Sequence, residues 1–338
     1  MDKGERMRTS AFARSAAALL IVGMLMVAGC APKSAEQTEE PAATDKITAA
    51  PIKIGTLATQ DSLPLWVAEE KGYFTEAGLA SVEIVPFQSA MELQTAFGAG
   101  AIDAMMTDIM VSANLSASGT KVVLPMIMLG ATKEQGRFAI VGAPGQKFAS
   151  MNDLKGVPVG TASLTITEYV LDKLMEEAGV AATDVKKEEV DKVPVRFQLL
   201  MSGKLKAASL PEPFVSLAEK QGAKIVPGGD DTQGQSNISQ SALAVNREFT
   251  GTDEGAASVD AVLAAWDKAV ADINADPGSF RSTLVSKARL PEPLATDFAV
   301  STYPTASAPT QEQVQVVLDW MKAKGYLKAE VVPADLLP

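Results

Sequence analysis

Apolar and polar residues alternate along this chain in two rhythms, short apolar runs and helical stripes, after an opening that follows neither. The opening run, Ala16 to Ala28, is 13 uncharged residues preceded by Lys3, Arg6, Arg8 and Arg14. Ala31 to Ala50 is then rich in Ala, Pro, Thr, Lys and Glu with a single large apolar residue, Ile47. So little apolar surface cannot offset the entropy of ordering, and residues 30–50 read as a flexible stalk. After it the rhythms begin: Ile52-Lys53-Ile54-Gly55 predicts a strand, Leu63 to Lys71 a helix, and Val82 to Pro86 a strand. Ser89-Ala90-Met91-Glu92 is a capping-box sequence that opens a short helix to Gly98, and Ile102 to Met106 and Val122 to Leu129 predict two more strands.

The second half uses the same grammar without repeating the sequence. Phe138 to Val141 and Val157 to Gly160 predict strands, and Thr165-Ile166-Thr167-Glu168 is a second capping box opening a helix to Ala178. Strands alternating with helices predict an α/β fold with parallel sheets packed between helices. Toward the C-terminus, Val259, Val262, Leu263, Trp266, Val270 and Ile273 fall at helical spacing, as do Val314, Val317, Leu318 and Met321. These stripes, with Met105, Met106, Met126 and Met128, are read as core packing.

The opening run changes the picture of where the chain resides. A basic start, a short apolar run and small residues before Cys30 make a signal peptide of residues 1–29, since a spanning helix needs about 20 apolar residues. Val27-Ala28-Gly29-Cys30 resembles the lipobox of bacterial lipoproteins, which implies cleavage before Cys30 and diacylglycerol on its thiol. Two or three acyl chains, at about 0.8 kcal/mol per buried methylene, would hold the chain durably on the outer face of a bacterial membrane. Cys30 is the only cysteine of the 338 residues, so no internal disulfide is possible. The mature part keeps 309 residues, with 26 Lys and Arg against 39 Asp and Glu, a net charge of −13. That balance argues against nucleic acid or anionic headgroups as partners.

Candidate chemistry is informative mainly by what is missing. The chain has no histidine, so Ser-His-Asp and Cys-His arrangements and imidazole metal sites are excluded, and neither catalytic residue, metal nor cofactor is expected. No dinucleotide fingerprint or P-loop is present; Gly228-Gly229 reads as a turn, and Asp230-Asp231, in a Gly/Gln/Ser-rich stretch, as a solvated one.

Several consecutive segments carry a family resemblance. Ile52-Lys53-Ile54-Gly55 is followed by Asp61-Ser62-Leu63-Pro64-Leu65-Trp66-Val67-Ala68-Glu69-Glu70-Lys71-Gly72-Tyr73-Phe74, then by Gly98-Ala99-Gly100-Ala101-Ile102-Asp103-Ala104 and Thr107-Asp108. Asp153-Leu154-Lys155-Gly156, Thr165-Ile166-Thr167-Glu168-Tyr169 and Leu210-Pro211-Glu212-Pro213 complete the set. In this order, from about Ile52 to Tyr326, they resemble the solute receptors for nitrate, taurine, alkanesulfonates and thiamine-pyrimidine precursors. The resemblance implies a two-lobed periplasmic-binding fold of type 2 with a hinged ligand cleft. It also implies a monomeric, non-enzymatic receptor that delivers solute to the permease and ATPase of an ABC importer. A tethered sensor without import, and a pyrimidine-synthase-like enzyme, are the alternatives; the latter's chemistry is associated with histidine.

Lobe one is expected to hold residues 51–136 and 242–338, and lobe two residues 137–241, with Gly136-Arg137 and Asn237-Ile238-Ser239-Gln240 as the crossings. Loops at strand carboxyl ends would line one crevice. Carried over by the resemblance as ligand contacts are Thr59, Gln60, Asp61, Ser62, Gln88, Ser89, Thr107 and Asp108 from lobe one, and Thr161, Ser163, Thr165 and Glu212 from lobe two. Asp61, Ser89 and Thr165 have capping as an alternative role. Ser163-Leu164-Thr165 departs from the family's asparagine-threonine pair, Lys206 replaces an aspartate, and Arg196 reads as a packing partner rather than a ligand clamp. Asp61, Asp108, Glu168 and Glu212 lie on predicted cleft loops with Arg137 as the one nearby cation. That charge balance favours a neutral, zwitterionic or heteroaromatic solute over nitrate or sulfate.

Overall fold

Ile52–Leu57 forms strand β1 with only Lys53 exposed, because it lies inside a sheet between two parallel neighbours. The computed structural model describes residues 48–338 apart from 236, 239, 289–293 and 295. The signal peptide, Cys30, the stalk up to residue 47 and Ser239 of the second crossing lie outside the described residues. Everything below belongs to the unit Lys46–Pro338.

The chain continues through α1 (Leu63–Lys71), α2 (Tyr73–Glu76), β2 (Val82–Phe87), α3 (Ala90–Gly98), β3 (Ala104–Asp108), α4 (Ile109–Ala117) and β4 (Val122–Leu129). It then passes to a second sheet through β5 (Phe138–Gly142), β6 (Pro158–Thr161), α5 (Ile166–Glu177), β7 (Lys186–Glu189), α6 (Val193–Met201), β8 (Ala207–Pro211), α7 (Phe214–Lys220) and β9 (Lys224–Asp230). Finally β10 (Ser241–Asn246) rejoins the first sheet, followed by α8 (Arg247–Thr250), α9 (Asp253–Ala275), α10 (Arg281–Lys287) and α11 (Gln311–Ala323). Gly72, at φ 76°, separates α1 from α2 in the left-handed conformation that ends helices at little cost to glycine.

The strand orders are β2-β1-β3-β10-β4 and β7-β6-β8-β5-β9. The expected parallel pairing holds for β1 with β2 and β3 and for β6 with β7 and β8, and is corrected for two strands: β10 is antiparallel to β3 and β4, and β5 is antiparallel to β8 and β9. The reason is connectivity. Each of these two strands follows a crossing from the other sheet rather than a helical crossover, and only the latter forces a parallel return. The crossings touch, since the Asn237 side-chain amide donates to the carbonyls of Gly130 and Ala131 at 2.8 and 3.1 Å.

The two amphipathic stripes take different places in the core. Trp266 of α9 is fully buried, packs edge-on against Tyr303 at 6.3 Å between ring centroids, and donates from Nε1 to the Pro304 carbonyl at 3.0 Å. Tyr303 in turn donates its hydroxyl to the Gln60 carbonyl at 2.6 Å, so the stripe of α9 braces the loop after β1. On α11, Trp320 packs edge-on against Tyr169 of α5 at 5.1 Å, and Lys324 meets Asp172 at 2.6 Å. Both capping boxes form with a shift: Ser89 accepts from the Glu92 amide and Thr165 from that of Thr167, but Glu92 and Glu168 reach the amides of Gln88 and Leu164, one residue further upstream.

Candidate functional site

The carboxyl ends of β1, β3 and β6 point their following loops at one another, as open α/β sheets generally do. Between the two sheets they enclose a cavity of about 60 Å3, several times the volume one water needs. From the first sheet's side it is lined by Leu57, Thr59, Asp61, Met106, Thr107 and Asp108, with Ala90 and Leu93 of α3 and Ser241. From the second side come Phe138, Ala162, Thr165, Ile166, Thr167, Asp191, Val193, Arg196 and Pro211.

Asp61 sits in a single helical turn, Gln60–Ser62, where it accepts from the Thr59 hydroxyl at 2.5 Å. It caps no helix: the N-cap position of α1 is Ser62, which makes no side-chain cap bond and instead donates to the Leu57 carbonyl. Burial raises the Asp61 carboxyl above its usual range, and the Thr59 hydroxyl partly opposes this. Asp108 is the cap that sequence did not single out. Its Oδ1 accepts from the Val111 amide of α4 at 2.8 Å, while Oδ2 accepts from the Ile166 amide at the start of α5, across the cleft, at 2.9 Å. Burial pushes this carboxyl up to about 6, despite the amides that it accepts from, and the nearby charge of Asp61 adds to the rise.

Arg196 of α6, expected in the packing, forms part of the cavity wall. It is 1% exposed, its Nη1 donates to the Val190 carbonyl at 3.1 Å, and its buried Nε has no hydrogen-bond partner. Burial lowers the guanidinium to about 10 against the attraction of Glu189 and Asp191. Arg137, by contrast, is the wrong cation. Its guanidinium is spent on Asp230 at 2.8 Å, Glu212 at 3.1 Å and Glu219 at 3.2 Å, outside the cavity.

The structure thus brings together Thr59, Asp61, Thr107, Asp108 and Thr165 and places the other candidates elsewhere. Gln60 has its side chain near Ser301, Gln88 is exposed, and Ser89 caps α3. The Thr161 hydroxyl donates to that of Thr167, and Ser163 is exposed and bonds Glu189. Glu212 precedes a cis proline, accepts from Ser216 and pairs with Arg137. Glu168 leaves the cleft for Lys187 and the Tyr326 hydroxyl. Asp230-Asp231 is buried rather than solvated: Asp230 pairs with Arg137, and Asp231 accepts from the Phe138 amide. Leu164, at φ 59°, takes the left-handed conformation that asparagine tolerates better, so the leucine carries a backbone cost there. Of the cavity residues that sequence did not assign to the site, Phe138 opens the predicted strand β5, Asp191 lies between β7 and α6, and Val193 opens α6, and none of the three sits in a motif that marks a binding loop. Among the described residues, no cluster of His, Cys, Asp and Glu could hold a metal ion. No helix there is long and apolar enough to cross a membrane.

Solved structures share this architecture. The periplasmic aliphatic sulphonate binding protein SsuA from Escherichia coli superposes with a TM-score of 0.70 at 18% identity, covering 85% of this chain and 97% of its own. The ligand binding component of an ABC-type import system from Staphylococcus aureus gives 0.70 at 17%, covering 85% and 96%. The periplasmic nitrate-binding protein NrtA from Synechocystis PCC 6803 gives 0.68 at 15%, covering 84% and 83%. At these identities the likeness shows the fold, which is the two-lobed periplasmic-binding architecture. No curated protein matches the chain in sequence. The family model described as NMT1-like matches residues 45–279, which hold all ten strands and the whole cavity wall, and the chain belongs to the NMT1-like family.

Proposed function

We propose that this chain is an extracytoplasmic solute receptor that captures a small organic solute between its two lobes and hands it to an ABC importer. The observation that carries the reading is the cavity itself, walled by residues from both sheets and bridged by the Asp108 bond to the Ile166 amide. A site divided in this way gains contacts only as the lobes come together, so binding and closure are one equilibrium. The ligand binding component of an ABC-type import system from Staphylococcus aureus, which shares this fold, supports the importer as partner. The basic start, the apolar run and Cys30 support a lipid anchor, with the stalk holding the receptor at high effective concentration beside its permease.

Two measurements test this. Cys30→Ser is expected to move the protein from the membrane fraction to the soluble one and to abolish its labelling by palmitate; retention of both would refute the anchor. Deleting the gene is expected to abolish uptake of whatever solute the purified protein releases on denaturation. Unchanged uptake, with a lost transcriptional or behavioural response, would favour a tethered sensor instead.

A further inference from the structure

The C-terminal segment is fixed to one sheet and touches a helix of the other. It is held on β4 of the first sheet from both sides of α11: the Ile127 amide donates to the Ser307 carbonyl and the Leu124 amide to the Leu336 carbonyl, each at 2.8 Å. Between these points α11 buries Val314, Val317, Leu318 and Met321 and packs on α4. Its far end meets α5, which covers the second sheet. In addition to its edge-on contact with Tyr169, Trp320 donates from Nε1 to Asp172 Oδ2 at 3.2 Å. Tyr326 packs edge-on against Trp320 at 5.6 Å and donates its hydroxyl to Glu168 Oε1 at 2.6 Å.

Charge makes this contact hard to undo. Glu168 and Asp172 are 1% and 4% exposed. Among the described residues, the cation that the second half supplies to them is Lys187, at 2.5 and 2.8 Å. The other cation is Lys324, which comes with the C-terminal segment and meets Asp172 at 2.6 Å. Undocking would leave two carboxylates with one ammonium and uncover the faces of Trp320 and Tyr169, and a buried ion pair that loses a partner keeps an uncompensated charge. The cleft side is held much more weakly. It has the Asp108 bond to the Ile166 amide and a partly exposed Glu92–Lys192 pair at 2.8 Å, which contributes little.

The same contact reaches the site. Glu168 uses its second oxygen, Oε2, to accept from the Leu164 amide at 2.8 Å. Leu164 stands between Ala162 and Thr165, both in the cavity wall. One carboxylate thus ties a hydroxyl of the C-terminal segment to the loop that enters the cleft.

We propose that Trp320, Lys324 and Tyr326 make a third, non-covalent connection between the two halves, beside the two chain crossings, and that it is their pivot: α5 stays docked there while the cleft opens. Hinged halves move about the segments that join them, and this junction is the one that costs most to separate. Tyr326 is also a positioning residue for the site, acting through Glu168 on the 162–165 loop. The inference rests on the solute-receptor reading for the opening and closing of the cleft, but its test needs no solute and can fail separately.

That test is amide hydrogen exchange, read by mass spectrometry on the full chain in detergent. Asp108→Ala removes the cleft bond and is expected to speed exchange in residues 107–112 and 162–167 at least about threefold, while residues 318–327 change by less than about 1.5-fold. Unchanged exchange at the cleft, or acceleration of 318–327 in step with it, overturns the pivot. Asp108→Asn carries the same test if the alanine variant fails to fold. Tyr326→Phe keeps the ring against Trp320 and removes only the hydroxyl. It is expected to speed residues 162–167 at least about threefold and to leave β10, residues 241–246, unchanged, a local response that a general loss of stability would not give. Unchanged exchange at 162–167, or an acceleration that extends equally to 241–246, overturns the positioning role. Failure of the receptor reading shows instead as no released solute and unchanged uptake, neither of which alters these exchange rates.

Discussion

Replacing Trp266 with alanine is expected to lower the unfolding free energy by about 3–5 kcal/mol, measured by urea denaturation. The indole is fully buried on α9 and meets the Tyr303 ring edge-on, so truncation removes the transfer free energy of a large apolar group and leaves a cavity walled by a stiff partner. It also strips the Pro304 carbonyl of its donor. Domains of this kind are stable by about 5–15 kcal/mol, so the loss is a large share of the total. Because Tyr303 holds the Gln60 carbonyl, the loop carrying Asp61 should loosen as well, and solute affinity should fall with stability. Trp266→Phe keeps most of the packing and should lose clearly less. A loss below about 1.5 kcal/mol for alanine would mean that the surroundings collapse into the space, and would refute the bracing role.

The second large effect is in the pH dependence of stability. Asp108 has a carboxyl at about 6 in the folded chain against an ordinary value of 3.8. The folded state therefore holds more protons than the unfolded state between those values. Its contribution is fully present below 3.8 and is lost as the pH rises through 6. The difference amounts to about 3 kcal/mol over that window. Asp61, also raised by burial, acts in the same direction. Asp230 is held below its ordinary value: burial works against its charge but is outweighed by the Arg137 guanidinium and Thr232, so it contributes with the opposite sign at lower pH. The unfolding free energy should therefore fall from pH 4 to pH 7, and Asp108→Asn should flatten that slope between pH 4 and 6.5. A variant whose profile runs parallel to the parent's would remove Asp108 as the cause.

Much of the fold could be read along the chain because local patterns and tertiary roles agree there. β1 shows its alternation, α9 and α11 their stripes, and Ser89 and Thr165 their caps. β7 could not be read, since Lys186–Glu189 is charged at every position, and only pairing with β6 at the sheet edge makes it a strand. α4 hid for the opposite reason: it is apolar nearly all round, so no stripe stands out. The same division runs through the site. Asp61 and Asp108 were found from their loops, but which of them caps a helix was decided by the backbone, and the outcome reversed the expectation.

By itself, the sequence determined the order of strands and helices, the absence of histidine chemistry, the excess of acid and the loops that could meet in a cleft. Only the tertiary structure decided which charges remain inside that cleft. Arg137, Glu168 and Glu212 are neutralised by partners distant in sequence, whereas Arg196 is carried into the wall with one N–H unmatched. The physical reason is that a residue's charge is legible from its identity, but its desolvation and its partners depend on groups dozens of positions away that only folding brings within reach.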